Sequence, residues 1–224
     1  MMEEIIDFLL RGNDLLWSGT LETLYMVFVS MILGSLVGIP LGVGVVVTED
    51  GNILESKGIN FILSTIINIT RSIPFIVLLV ALIPFTRFIV GTSIGTTASI
   101  VPLTVGAIPF IGRIVESAIK EVDGGVIEAA QSMGATPWEI VTKVLLPESL
   151  PTLVLGLTIT LISLIGYSAI VGAIGGGGLG DIAIRYGYHR YQTDIMIKTI
   201  ILLVVMVQLI QHFGNLLARK LDRS

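Results

Sequence analysis

The run EVDGGVIEAAQSMGATPWEIVTKVLLPESLP, residues Glu121–Pro151, is a polar stretch set between long apolar segments. Asp123 is placed to cap a first short helix, and Gly134 to end it. Thr136, Pro137 and Glu139 then give a capping hydroxyl, a proline at the first helical position and a glutamate three residues after the cap. Pro147 and Pro151 are expected to close this second helix and open the next segment. On the first helix Val126, Ala130 and Met133 share one face; on the second, Trp138, Val141, Val144 and Leu145 form an apolar stripe. Both helices are too short to cross a bilayer. Joined by a tight glycine turn they make a knob that a partner could grip, or simply a well-capped loop between membrane helices.

The rest of the chain decides that setting. Of its 224 residues 53% are hydrophobic and 13% charged, and mean hydropathy is +0.93. A water-soluble domain carries about a quarter of its residues as charges, so the expected class is all-α, a polytopic membrane protein. With about 20 residues per span, the length suits five or six helices and no separate soluble domain. There is no cysteine, hence no disulfide or thiolate chemistry. A net charge of −4 offers no basic patch for nucleic acid. The acidic start MMEEIIDFLLRGNDLL lacks the basic flank of a signal peptide; residues 1–18 read as an amphipathic helix at the interface.

Spans are expected at about 21–47, 59–90 (interrupted), 98–119, 150–173 and 194–218, with 121–149 as the hairpin. The first carries Gly34, Gly38 and Gly42 at four-residue spacing, a small-residue face for close helix packing, and Pro40, which should kink it. The second is broken by Asn68–Ser72 and Pro74. Either it carries Arg71 near its middle or the helix breaks there. A charge at the bilayer centre costs about 2.5–3.5 kcal/mol, so Arg71 marks a polar notch on a translocation path or snorkels to the interface. Arg87–Thr97 reads as a short outer loop. Near the end of the third span, Arg113, Glu116 and Lys120 can pair along one helix, a structural role. On the fourth, Gly156, Thr160, Ser163 and Tyr167 form a small, hydroxyl-bearing stripe that could line a path or glue two helices.

Several chemistries are excluded. Gly175, Gly177 and Gly180 formally meet a dinucleotide fingerprint, but a membrane helix stands where that motif needs a strand. His189 and His212 are isolated, so no metal site is assigned. Arg185–Tyr191 is an aromatic and basic interfacial belt. There is no GxxxxGK[ST] phosphate loop, so no ATP-hydrolysing or other catalytic site is assigned to this chain. Arg219, Lys220 and Arg223 argue for a cytoplasmic C-terminus, which with five spans also puts 121–149 in the cytoplasm.

Glu128-Ala129-Ala130, Gly134, and Val144-Leu145-Leu146-Pro147 resemble the EAA loop of ABC-importer permeases, with valine at 144 where that pattern prefers isoleucine. Arg71–Phe75, Ile83–Arg87, Gly91–Gly95, Val101–Gly106 and Gly166–Ala169 resemble the permease subunits of methionine importers, and the likeness covers most of the chain. The resemblance implies a type I ABC-importer permease fold in the cell (inner) membrane. It implies a homodimer, two cytoplasmic ATPase subunits that bind ATP and Mg²⁺, and an external substrate-binding lipoprotein. This chain would itself take no cofactor. It would translocate D- and L-methionine by alternating access, with Glu128, Ala129, Ala130 and Gly134 at the ATPase-coupling surface. Arg71, Thr160, Ser163 and Tyr167 are candidates for the path. A bulky residue at Gly134 would then uncouple ATP hydrolysis from transport. The rivals are an ion-coupled secondary transporter built from broken helices, and a membrane scaffold that transports nothing.

Overall fold

The computed structural model describes residues 12–222, and among these every regular element is helical. In chain order they are α1 (Asn13–Val47), α2 (Lys57–Ser72), α3 (Phe75–Ala81), α4 (Ile83–Val90), α5 (Thr96–Lys120), α6 (Gly124–Ser132) and α7 (Pro137–Ile140). A π-helical turn, Val141–Leu145, leads into α8 (Leu146–Ala173). The chain ends with α9 (Gly178–Ile182), a second π-helical turn (Ala183–Tyr188) and α10 (Thr193–Leu221). Among the described residues, four helices are long and apolar enough to cross a membrane, or five if α2 and α3 count as one broken span.

The breaks have local causes. Ile73 precedes a proline and is extended (φ −83°, ψ 121°), which ends α2. The interruption is therefore a helix break, with Arg71 in the last turn of α2. Residues 13–18 belong to α1 instead of a separate interfacial helix; residues 1–11 lie outside the described residues. Arg87 is likewise inside α4, and the loop begins at Gly91 (φ 82°).

Pro147 and Pro151 do not end a helix. Residues 137–173 form one continuous helix of 37 residues, so the fourth apolar helix begins well before residue 150. Pro151 stands inside α8, and a π-helical turn accommodates Pro147. Leu146 N–H bonds to the carbonyl of Val141, five residues back, and this widened turn makes room for a proline ring that would otherwise strike the preceding carbonyl. Ser149 Oγ adds a bond to Leu145 O at 2.7 Å.

The described residues fall into two compact units, which share α1, α5, α8 and α10 between them. One comprises residues 12–31, Phe75–Thr104 and Leu161–Ile210. Its core includes Met26, Val27, Leu103, Leu164 and Leu179. Here the glycine-rich turn after α8 is pinned from two helices. Gly95 N–H and Ser99 Oγ of the α5 start donate to the carbonyls of Gly175 and Gly176 at 3.0 and 3.1 Å. Glu22 and Thr23 of α1 accept the N–H groups of Gly178 and Leu179. Arg185 pairs with Asp181 at 2.7 Å, and Arg190 lies over the Tyr186 ring at 4.6 Å.

The other unit comprises Ile32–Pro74, Val105–Thr160 and residues 211–222. Ile67, Ile111, Val115, Ile119, Ile140 and Leu145 form its core. A Cβ added at Gly38 would lie 2.8 Å from the Ile111 side chain, and one at Gly42 would lie 2.6 Å from Val115 Cβ. The small residues thus let α1 meet α5 almost backbone to backbone. Gly156 of α8 does the same against Ile114, and Gly214 of α10 against Thr158.

Candidate functional site: the coupling hairpin and the polar stripe

The hairpin is built from three short-range devices. Asp123 caps α6, its carboxylate accepting Gly125 N–H at 2.7 Å. The far end of α6 closes in a Schellman turn: Gly134 N–H donates to Gln131 O at 2.9 Å and Ala135 N–H to Ala130 O at 3.1 Å. Gly134 sits at φ +79°, a backbone angle that costs a residue with a Cβ about 1–2 kcal/mol. Then α7 opens with a complete capping box between Thr136 and Glu139. The Lys143 ammonium, 2.9 Å from Glu139, and the backbone and hydroxyl of Thr136 push the Glu139 carboxyl down to about 2. This group lies in the exposed polar start of a helix about 55 Å long, far more than a bilayer core needs.

Its surface is partly apolar. Val126, Met133 and Trp138 are exposed, at 42%, 82% and 75%, while Ile140, Val141 and Leu145 are buried beneath. Glu128, Ala129 and Gly134 are open to solvent, but Ala130 is buried. Ala130 is thus packed on its own chain, in a helix that lies against the π-helical turn. An apolar groove of about 510 Å³ runs beside α7, lined by Pro40, Val43, Val47, Leu54, Trp138 and Val141 among others.

The hairpin is fastened at its root. Glu116, buried on α5, pairs with Arg113 at 2.8 Å and Lys120 at 3.2 Å. Lys120 reaches on to Glu49, after α1, at 2.9 Å. Thr152 Oγ donates to the Glu121 carboxylate at 3.0 Å.

The other candidates divide by unit. Arg71 is exposed, its guanidinium 5.5 Å from the Phe110 ring centre. Thr160 is buried and its hydroxyl donates to Gly156 O at 3.0 Å, so it packs inside its own chain. In the first unit Ser163 and Tyr167 are half-buried. The Tyr167 ring stacks flat on Phe75, with centroids 4.3 Å apart.

Glu22, Thr23, Glu49 and Thr152 were not singled out by sequence. A signal existed for Glu22, an acid inside a long apolar helix. The others take their meaning from partners distant in the chain.

The model of the binding-protein-dependent transport system inner membrane component family matches residues 34–224. The chain belongs to that family. Two relatives sharpen the placement. The probable D-methionine transport system permease protein MetI of Vibrio cholerae is 56% identical over 211 residues, covering 94% of each chain. The methionine import system permease protein MetP of Bacillus subtilis is 43% identical over 208 residues, covering 93% of this chain and 94% of that one. Among solved structures, an inward-facing MetNI methionine ABC transporter chain matches with a TM-score of 0.94 at 54% identity, covering 96% of this chain and 99% of that one. As a member of this permease family with several apolar helices, the chain is a multi-pass membrane protein.

Proposed function

We propose that this chain is the membrane-spanning permease subunit of an ATP-driven importer that moves D- and L-methionine inward by alternating access. The observation that carries the reading is the hairpin: two capped helices, held by a Schellman turn, offering Glu128, Ala129, Met133 and Trp138 to a partner. The relatives' names, D-methionine for one and methionine for the other, support the substrate.

In this reading the chain pairs with a second copy in the inner membrane, with its C-terminus in the cytoplasm. Two cytoplasmic ATPase subunits bind ATP and Mg²⁺, and this chain takes no cofactor and performs no catalysis. An external binding lipoprotein delivers the amino acid. Closure of the ATPases draws the paired hairpins together, and a rigid-body shift of the helices exchanges inward and outward access. Glu128, Ala129 and Gly134 belong to the coupling surface. Arg71 in one unit, and Ser163 and Tyr167 in the other, are each candidates for the path.

The test is a pull-down of the membrane protein followed by methionine uptake in liposomes. Co-purification of an ATPase, with uptake requiring ATP and an external binding protein, supports the reading. An ATPase without methionine uptake keeps the architecture and discards the substrate. Uptake driven by an ion gradient without ATP favours a secondary transporter, and an absence of flux with all partners present leaves a scaffold.

A further inference from the structure

The two ends of the hairpin are attached differently. Its trailing end runs through the π-helical turn into α8 without a break. Its leading end is the three-residue turn Glu121–Asp123, between α5 and α6. Motion imposed on the hairpin by a partner passes directly into α8, but a turn on the α5 side can absorb it.

The charges lie on that weak side. Glu116 is only 6% exposed. A buried carboxylate is seldom the most stable choice at a packed site, and its best-attested use is to fix one arrangement of neighbours over others. Its two partners stand three residues before and four residues after it on one face of α5. Lys120, the last residue of α5, forwards the link to Glu49 on the loop after α1. The next residue, Glu121, is held by Thr152 of α8. So two stitches leave the α5 edge of the turn: Lys120 toward the loop after α1, and Glu121, the first residue of the turn, toward the helix that carries the hairpin's other end.

We propose that Glu116 is a positioning residue for coupling. Acting through Lys120, it locks the root of the hairpin so that displacement reaches α5 and α1 as well as α8. This rests on the transport reading above and assigns to that machinery a residue outside the docking surface.

The experiment uses the full chain assembled with its ATPase and binding protein in liposomes. ATP hydrolysis and uptake of labelled methionine are measured side by side. Glu116→Gln and Lys120→Gln should each lower methionine moved per ATP by about fivefold or more, with hydrolysis retained. Lys120→Arg, which keeps the bridging charge, should hold the wild-type ratio. The Lys120 side chain is 41% exposed and Arg113 still pairs with Glu116, so replacing Lys120 leaves no buried charge unpaired and decides the matter if Glu116→Gln does not assemble. An unchanged ratio in the glutamine variants overturns the proposal. Hydrolysis and uptake falling together in proportion also overturns it, since that is the signature of a merely structural residue. A wild-type complex with no ATP-driven uptake would overturn the transport reading itself, a result distinct from either.

Discussion

Glu22 on α1 accepts the backbone N–H of Gly178 at 2.7 Å, across 156 residues of sequence. Beside it, the Thr23 hydroxyl oxygen accepts the N–H of Leu179 at 2.9 Å. One helix thereby caps another in trans, satisfying two amides that α9 leaves free at its start. Thr23 and Leu179 are almost fully buried, so water cannot replace the lost partner. Thr23→Val should cost about 1–3 kcal/mol, and hydrogen exchange at the Leu179 amide should quicken before that of the α5 core. Equal protection in the variant would contradict this.

At Gly134 the space and the backbone angle make opposite demands. An added Cβ would meet nothing within 4 Å, yet φ is +79°. Gly134→Asn should therefore be tolerated far better than Gly134→Val, because asparagine visits the left-handed region and a β-branched residue resists it. In the assembled importer, Gly134→Trp should leave ATP hydrolysis running while methionine uptake falls. Unchanged uptake in that variant would detach the turn from coupling.

The exposed side chains of the hairpin should matter only to a partner. Met133→Ala and Trp138→Ala remove surfaces that are 82% and 75% exposed. Each should change the thermal stability of the isolated subunit by about 0.5 kcal/mol or less. The pair should weaken ATPase retention in a pull-down by about tenfold or more, the scale of an interface anchor. Full retention would move the docking surface elsewhere.

Two glycines on neighbouring elements should respond in opposite ways. Gly42→Ala forces a methyl group into Val115 of α5 and should destabilise by about 1–3 kcal/mol. Gly58, in the first turn of α2, has open space around it, and Gly58→Ala should stabilise by about 0.4–1 kcal/mol. Thermal melts of the detergent-solubilised subunit would read both.

Sequence revealed those features whose causes lie within one turn of helix. The Asp123 cap, the Gly134 turn and the Thr136–Glu139 box each need only neighbours two to five residues away, and each forms. The small-residue spacing in α1 likewise pointed to close packing, because a missing side chain is visible without knowing what fills its place. Pro147 and Pro151 misled because a proline breaks an ordinary i→i−4 ladder; at Pro147 the bond that carries the helix past it reaches one residue further. Ala130 was placed on the coupling surface by the resemblance alone, and its burial follows from how α6 folds back on its own chain. The pairing of Glu22 with Gly178, and of Glu121 with Thr152, depends on which helices become neighbours, and spacing along the chain does not encode that.

The glycine-rich turn after α8 reverses the usual relation between loops and change. Connecting loops ordinarily accept substitutions more readily than the elements they join. Here a Cβ at Gly177 would come 2.9 Å from the Glu22 carboxylate, one at Gly178 2.6 Å from the Thr23 hydroxyl, and one at Gly180 2.5 Å from Ala169 Cα. Gly172 and Gly176 are equally closed, against the backbone of Asp181 and the side chain of Val171. By contrast Ile197, Ile201, Val204 and Val205 on α10 are open at the surface, where one apolar residue can stand in for another. The segment that resembles a flexible linker is thus the one with least room to drift, and the open apolar face of α10 is the one most at liberty to vary.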